Sequence, residues 1–133
     1  MPAQVLDSYA LLAYLRDEPG ADTVQTLLEK ASRRNAPVHM TEVNYAEVKY
    51  MTLRKDGPQA WADVSSALES LPIEFHPATR ELADLAADFK SRHKISLAHG
   101  FAAALAKTRK AQLVTGDPEF KQLQKEIPVE WIK

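Results

Sequence analysis

The feature that most constrains the fold is a short apolar run that ends in a carboxylate and leads directly into a helix. The run 111–115 favours a β-strand, and Asp117 and Pro118 then favour a helix start, because Asp caps helices well and Pro suits the first turn. Near the amino terminus, 3–6 predicts a second buried strand that ends in Asp7. In open α/β sheets, ligands and catalytic groups collect at the carboxyl ends of the strands. The two runs therefore predict that both acids reach one edge of one sheet.

Strand-like and helix-like segments alternate along the rest of the chain. Apolar residues at helical spacing predict helices over 8–15, 21–34, 42–54, 59–70 and 79–92 and a further helix after Ser96, and β-prone runs predict strands over 37–40 and 72–76. With 133 residues and 45% hydrophobic content, the chain suits one compact domain, 1–133, with its own core. We therefore expect a single α/β domain.

Composition excludes several classes of protein. A formal net charge of −1 argues against a protein that holds nucleic acid by bulk positive charge, so any RNA contact must be local. The absence of cysteine excludes disulfides and thiolate metal sites and is compatible with a reducing cytoplasm. The amino terminus lacks the pattern of a signal peptide, and no apolar run approaches the ~20 residues of a membrane span. We expect a soluble cytoplasmic protein without membrane contact.

Glu47 falls among apolar residues on the predicted helix 42–54, for which Thr41 is the expected cap. Its neighbours on that face, by the i, i+3, i+4 rule, are Val43, Ala46, Tyr50 and Met51. A carboxylate that is buried without a partner is costly. We therefore expect Glu47 to be paired, coordinated to a metal or placed at the mouth of a pocket.

His99 is predicted to lie in the first turn of the helix that Ser96 caps. The positive end of the helix dipole disfavours imidazolium, so the sequence predicts a neutral ring. A neutral imidazole binds metals or accepts a proton.

Each of these residues also has a simpler explanation. Taken alone, Asp117 is a helix cap, and Glu47 is a partly exposed residue on a helix face. A lone histidine such as His99 more often makes a local hydrogen bond than a metal bond. The residues gain weight as functional candidates because they occur together.

Four segments, in order along the chain, resemble the PIN-domain ribonucleases, and specifically the VapC-type toxins of bacterial toxin–antitoxin pairs: VLDSYALLAYL, VNYAEVKY, ISLAHGFAAALA and LVTGDPEF. The resemblance spans essentially the whole chain. It implies a three-layer α/β/α sandwich with a mostly parallel central sheet, which agrees with the alternation of segments. It also implies an endoribonuclease that hydrolyses RNA phosphodiester bonds, that forms a homodimer and that a small antitoxin protein neutralises. Transfer RNA is a common target in the family.

The resemblance assigns roles to individual residues. Asp7, Glu47 and Asp117 match the acids that bind Mg²⁺ or Mn²⁺ in the family. Thr115 and Ser8 lie beside these acids and are expected to support them. Tyr9 stands where a small phosphatase would need a second acid, and a receiver domain would need an early acidic pair, so neither class fits.

One catalytic position departs from the family pattern. His99 stands where these proteins usually have an Asp, and Gly100 follows where Ala is common. Imidazole is a better ligand for Mn²⁺, Fe²⁺ or Zn²⁺ than for Mg²⁺. Three outcomes follow: a weaker Mg²⁺ site on the three acids, a shift toward Mn²⁺ with His99 as ligand or water orienter, or loss of cleavage. In the last case the protein is a PIN-fold module that binds RNA or an antitoxin without cutting.

Overall fold

Strands and helices alternate along the chain in the computed structural model, which describes residues 2–133. The elements are β1 (Gln4–Leu6), α1 (Ser8–Leu15), α2 (Ala21–Arg34), β2 (Val38–Thr41), α3 (Glu42–Leu68), β3 (Ile73–His76), α4 (Arg80–Arg92), α5 (Leu97–Arg109), β4 (Gln112–Thr115), a 3₁₀ helix (Pro118–Leu123) and β5 (Val129–Trp131). The sequence analysis missed β5, since its three half-buried residues carry no alternating pattern. No helix within residues 2–133 combines the length and apolarity that crossing a bilayer requires.

The five strands form one sheet in the order β3-β2-β1-β4-β5, and every pairing is parallel. Neighbouring residues on β1 point to opposite faces: Val5 packs with α4 and α5, and Leu6 packs with α1 and α2. The first half of α3 and α1 cover Met40 on the second face. The predicted three-layer α/β/α sandwich is confirmed, with a sheet that is entirely parallel.

Register places the ends of β1 and β4 side by side, because Leu6 pairs with Val114. The predicted caps Thr41, Ser96 and Asp117 are confirmed at this edge of the sheet, and Asp7 is a further cap that the sequence analysis did not predict. The side chain of each capping residue accepts a hydrogen bond from a backbone N–H of the following first turn, at Asp7, Thr41, Ser96 and Asp117. Side-chain hydrogen bonds therefore fix where the helices begin, and with them the residues around the sheet edge.

The two predicted helices 42–54 and 59–70 form the single element α3, which breaks at Gly57. Gly57 has φ 88° and ψ 177°, a conformation that side chains with a Cβ rarely adopt, and Pro58 follows it. The predicted break is therefore confirmed, and its cause is the backbone conformation of one glycine.

The predicted apolar stripe on the first half of α3 is wrong. Tyr50 and Met51 are exposed, while the buried positions are Asn44, Val48 and Thr52, spaced four residues apart. Compared with the prediction, α3 is rotated about its axis so that Asn44 is buried and donates hydrogen bonds to Ser8 at the start of α1 and to Ala98 in α5. The spacing of apolar residues does not predict the burial of a polar residue.

We expect Gly100→Ala to destabilise the protein, although Ala has the higher helix propensity. A Cβ at Gly100 would lie 2.8 Å from the backbone oxygen of Ala86 on α4, so α4 and α5 would have to separate. The strain should exceed the ~1 kcal/mol gain in helix propensity and leave a net loss of about 1–2 kcal/mol. Urea denaturation measures the loss, with Ser91→Ala on the exposed face of α4 as control. An unchanged midpoint for Gly100→Ala would show that the two helices adjust freely.

Candidate active site

Asp7 is completely buried where β1 ends and α1 begins. One carboxylate oxygen accepts the Ala10 backbone N–H at 2.8 Å, and the other accepts the Thr115 hydroxyl at 2.5 Å. Burial raises the pKa of Asp7 to about 7, against the lowering effect of these two hydrogen bonds. The structure thus holds a carboxyl group in fixed orientation, in surroundings that oppose its ionisation.

Thr115 joins Asp7 to the turn after β4. Its hydroxyl oxygen accepts the backbone N–H of Asp117 at 2.9 Å, while its hydroxyl hydrogen is donated to Asp7. Asp117 Oδ1 in turn accepts the backbone N–H of Glu119 at 2.9 Å. The Tyr9 ring packs directly on Gly116, where any Cβ would collide with it. The Thr-Gly-Asp order therefore places the two acids by hydrogen bonds and close packing.

Glu47 reaches the same region from α3. It is half-buried, and its Oε1 accepts a hydrogen bond from the Ser8 hydroxyl. The Asn44 side-chain nitrogen lies 3.2 Å from the Ser8 hydroxyl oxygen and 3.5 Å from Glu47 Oε1. The Thr41 hydroxyl donates to Asn44 Oδ1 at 2.5 Å and so orients the amide. Glu47 is thus paired and lies at a cleft, as expected, although the apolar stripe from which this was predicted is wrong.

His99 lies in the first turn of α5 as predicted, between two carboxylates. Its Nε2 is 3.2 Å from Asp117 Oδ2, and its Nδ1 is 2.7 Å from Glu119 Oε1. Both ring nitrogens therefore lie within reach of a carboxylate oxygen. The neutral ring stays a prediction, and the structure adds that a carboxylate faces each of the two ring nitrogens.

Glu119 responds to the same contact. Partial burial acts to raise its pKa, but the hydrogen bond and charge of His99 outweigh burial and hold the pKa of Glu119 below its ordinary value. His99 is thereby engaged by carboxylates on both of its nitrogens.

A cleft of about 590 Å³ opens over these residues. Ser8, Glu47, His99 and Asp117 line it, and Asp7 lies beneath its floor. The cleft is also lined by two basic residues, Arg16 and Lys133, and by Tyr9, Tyr50 and Met51. Glu47 and Asp117 thus face a space open to a substrate, with the buried Asp7 behind them.

Arg16 is the basic residue best placed to bind an anion in this cleft. Its Nη2 is buried without a hydrogen-bond partner in residues 2–133 and lies 4.0 Å from Asp56 Oδ2. Buried donors normally have partners, so the hydrogen-bonding capacity of this N–H is unused within residues 2–133.

The three acids fit a divalent cation that prefers oxygen ligands. Within residues 2–133, no lysine or arginine forms a salt bridge with Asp7, Glu47 or Asp117. Their oxygens are not all within 4.8 Å of one another. Mg²⁺ keeps several waters and binds through one or two carboxylates, so a spread set of acids suits it.

Comparison with protein families agrees with this architecture. The family model for the PIN domain matches residues 5–126. The chain belongs to the PIN domain family. No curated relative matches this PIN domain at a significant level.

Solved structures of toxin–antitoxin proteins share the fold of this PIN domain. A chain of Rickettsia felis VapBC2, bound to a DNA fragment from the VapBC2 promoter, superimposes with TM-score 0.77 at 18% identity over 96% of this chain and 97% of that chain. A chain of DNA-bound VapBC from Salmonella typhimurium gives 0.75 at 14% identity over 100% of both chains. The Mycobacterium tuberculosis toxin VapC20, which cleaves the sarcin–ricin loop, gives 0.64 at 17% identity over 90% of this chain and 94% of that chain.

The residues singled out in the sequence lie together in this PIN domain, around one cleft. They are Asp7, Ser8, Glu47, His99, Thr115 and Asp117. Sequence reasoning missed three residues of the same region, Arg16, Asn44 and Glu119. The spacing of Asn44 three residues after the Thr41 cap is a signal that could have found it, since an N3 side chain often reaches back to its cap. No sequence signal marks Arg16 as part of the site. It stands next to Asp17 and Glu18, so in the sequence it looks like an ordinary charged residue at the end of a helix.

Proposed function

We propose that this PIN domain works as a single domain over 1–133 and is a metal-dependent endoribonuclease, a VapC-like toxin that hydrolyses RNA phosphodiester bonds. The observation that carries the proposal is the convergence of Asp7, Glu47 and Asp117 from three different elements on one cleft, each held by a neighbouring hydroxyl or backbone group. Similarity of fold to a toxin that cleaves the sarcin–ricin loop supports the same activity class.

In this proposal Asp7, Glu47 and Asp117 hold Mg²⁺ or Mn²⁺. A divalent ion bound there supplies an activated water and offsets the charge that builds on phosphorus. Thr115 fixes the rotamer of Asp7 and the turn that carries Asp117, and Ser8 fixes Glu47. Thr115 and Ser8 are positioning residues, since they act through the acids.

RNA binding at this site rests on local charge. Arg16 and Lys133 both line the cleft, Arg16 with an N–H that has no hydrogen-bond partner within residues 2–133 and Lys133 beside the Tyr9 ring. Arginine binds phosphate oxygens well. We propose a structured RNA, such as a transfer RNA, as the substrate whose phosphate these groups bind.

We also propose a small antitoxin protein as inhibitor, a homodimer as the working form and the cytoplasm as the location. Tyr50 and Met51 give the cleft an exposed apolar side next to its acids. A peptide with an apolar anchor and an arginine fits such a surface, because arginine pairs with carboxylates through two hydrogen bonds. The solved complexes that share the fold are toxin–antitoxin complexes, which supports this choice of partner.

A second candidate is a PIN-fold module that binds RNA or antitoxin without cutting. Its support is the position of His99, which engages Asp117 and Glu119 at once and so competes with a cation for Asp117. The usual acid at this position would add a ligand instead of a competitor.

Parallel assays of this chain and of His99→Asp on a panel of structured RNAs test both candidates. We expect this chain to cut, faster with Mn²⁺ than with Mg²⁺. We expect His99→Asp to raise the Mg²⁺-dependent rate about tenfold, because changes to groups around a metal site typically alter metal affinity or activity by at least that factor. Chelation with EDTA should stop all cleavage.

The outcomes separate the candidates. Cleavage by His99→Asp alone would identify this chain as the binding module. Cleavage by neither, with folded proteins and either metal, would contradict the nuclease proposal.

A further inference from the structure

A second group of side chains that can bind a metal, two histidines and a glutamate, lies away from the cleft on β2 and the edge strand β3. His39 and Glu74 are register partners on these strands, and His76 lies two residues beyond Glu74. Side chains of register partners share a face of the sheet, as do residues i and i+2 of one strand. The parallel pairing of β2 and β3 therefore brings His39, Glu74 and His76 together.

The distances between their ligand atoms are those of a metal site. His39 Nδ1 lies 2.9 Å from His76 Nε2 and 3.2 Å from Glu74 Oε2, and His76 Nε2 lies 3.5 Å from the same oxygen. A tetrahedral Zn²⁺ with bonds of ~2.0–2.1 Å separates its ligand atoms by roughly 3.3–3.4 Å. Little movement is needed to place one ion among the three.

We propose that His39, Glu74 and His76 bind one transition-metal ion, with Zn²⁺ the best fit to two imidazoles and a carboxylate. Two histidines and a glutamate are a known donor set for zinc, which leaves a fourth position for water. The site shares no residue with the acids of the cleft, so it is a separate site whether or not the protein cleaves RNA.

The surroundings of the two rings favour metal binding. Both are largely buried, with side chains 12% and 15% exposed. Burial, followed by the charge of Arg109, lowers the pKa of His39 and of His76. The rings are thereby kept in the neutral form, which is the form that ligates a metal.

Arg109 competes with the ion for this site. Its Nη2 lies 3.7 Å from Glu74 Oε2 and 3.4 Å from His76 Nε2. The side chain is 41% exposed at the end of α5, so it is able to swing away when an ion binds. Removing this cation should tighten metal binding, because like charges then no longer meet at the site.

The consequence for the fold is a link between an edge strand and its neighbour. β3 is a four-residue edge strand that pairs only with β2 within residues 2–133. An ion on all three side chains joins the two strands and stabilises the folded state by mass action.

Titration of the full chain with Co²⁺ and with Zn²⁺, in excess Mg²⁺ to fill oxygen sites, tests the proposal. We expect one equivalent of Co²⁺ to give the intense visible absorption of four-coordinate Co²⁺, and Zn²⁺ to displace it and raise Tm. His39→Gln, His76→Gln and the more exposed Glu74→Gln should each weaken binding about 10- to 100-fold. Arg109→Gln should tighten binding about tenfold.

Two matched variants decide where the ion binds. His93 also pairs with a glutamate, Glu126, at 2.7 Å, but no third ligand joins them within residues 2–133, so His93→Gln should bind as before. Asp117→Asn should also keep the Co²⁺ spectrum. The proposal is overturned if folded Glu74→Gln and His76→Gln bind Co²⁺ normally, if Asp117→Asn loses the spectrum, or if no equivalent binds at all.

Discussion

Asp117→Asn is expected to lower metal-dependent RNA cleavage about 100-fold or more, since a cation at the reacting phosphate supplies several kcal/mol of charge stabilisation and each 1.36 kcal/mol is tenfold in rate. The fold should survive. Asn caps helices as well as Asp does, and its side-chain oxygen still accepts the Glu119 backbone N–H. Initial rates at saturating Mn²⁺, with thermal melts of both proteins, measure the effect.

Asp88→Asn is the matched control for this experiment, because Asp88 is an exposed carboxylate on α4. Its rate should equal that of the unmodified chain. If Asp117→Asn cleaves RNA at full rate, the cation is not held at the end of β4 and the proposed site is wrong.

Asp7→Asn is expected to stabilise the metal-free protein at pH 8. The buried Asp7 carboxyl has its pKa raised from 3.8 to about 7, so ionising it costs stability in the folded state. Its contribution is fully present below about pH 4 and is lost as pH rises through about 7. Relative to Asp7→Asn, the unmodified chain should lose about 3 kcal/mol of unfolding free energy between pH 5 and pH 8.

Urea denaturation of both proteins in EDTA, at pH 5 and pH 8, measures this difference. Glu119 and Glu126 have pKa values below their ordinary value, so their contributions to stability change with pH in the opposite direction. These contributions are the same in both proteins and cancel in the comparison with Asp7→Asn. Adding Mn²⁺ at pH 8 should restore the stability of the unmodified chain only. A difference that does not change with pH would show that Asp7 ionises freely when buried.

Local rules explain why much of the fold could be predicted from the sequence. The caps Asp7, Thr41, Ser96 and Asp117 each satisfy a backbone N–H within three residues, so nearby sequence determines them. Two acids at the ends of strands could be brought together because parallel strands share a carboxyl edge.

Longer-range contacts explain what the sequence did not predict. The rotation of α3 depends on Asn44 reaching Ser8 and Ala98, which lie 36 and 54 residues away along the chain. The second carboxylate contact of His99 depends on Glu119, 20 residues away. The His39 and His76 pair depends on the register of β2 and β3, in which a slip of one residue would turn the two rings to opposite faces.

The hydrogen bond from Thr115 to Asp7 spans 108 residues, which ties assembly of the acidic site to chain synthesis. Asp7 and Glu47 are made early, yet Asp7 does not meet Thr115, and the site does not gain Asp117, until the end of β4 has left the ribosome. Domains generally fold as units, and a parallel pairing of such separation forms late. A growing chain therefore contains Asp7 and Glu47 before the site around them exists. Cleavage at this cleft begins only when synthesis of the sheet is nearly complete.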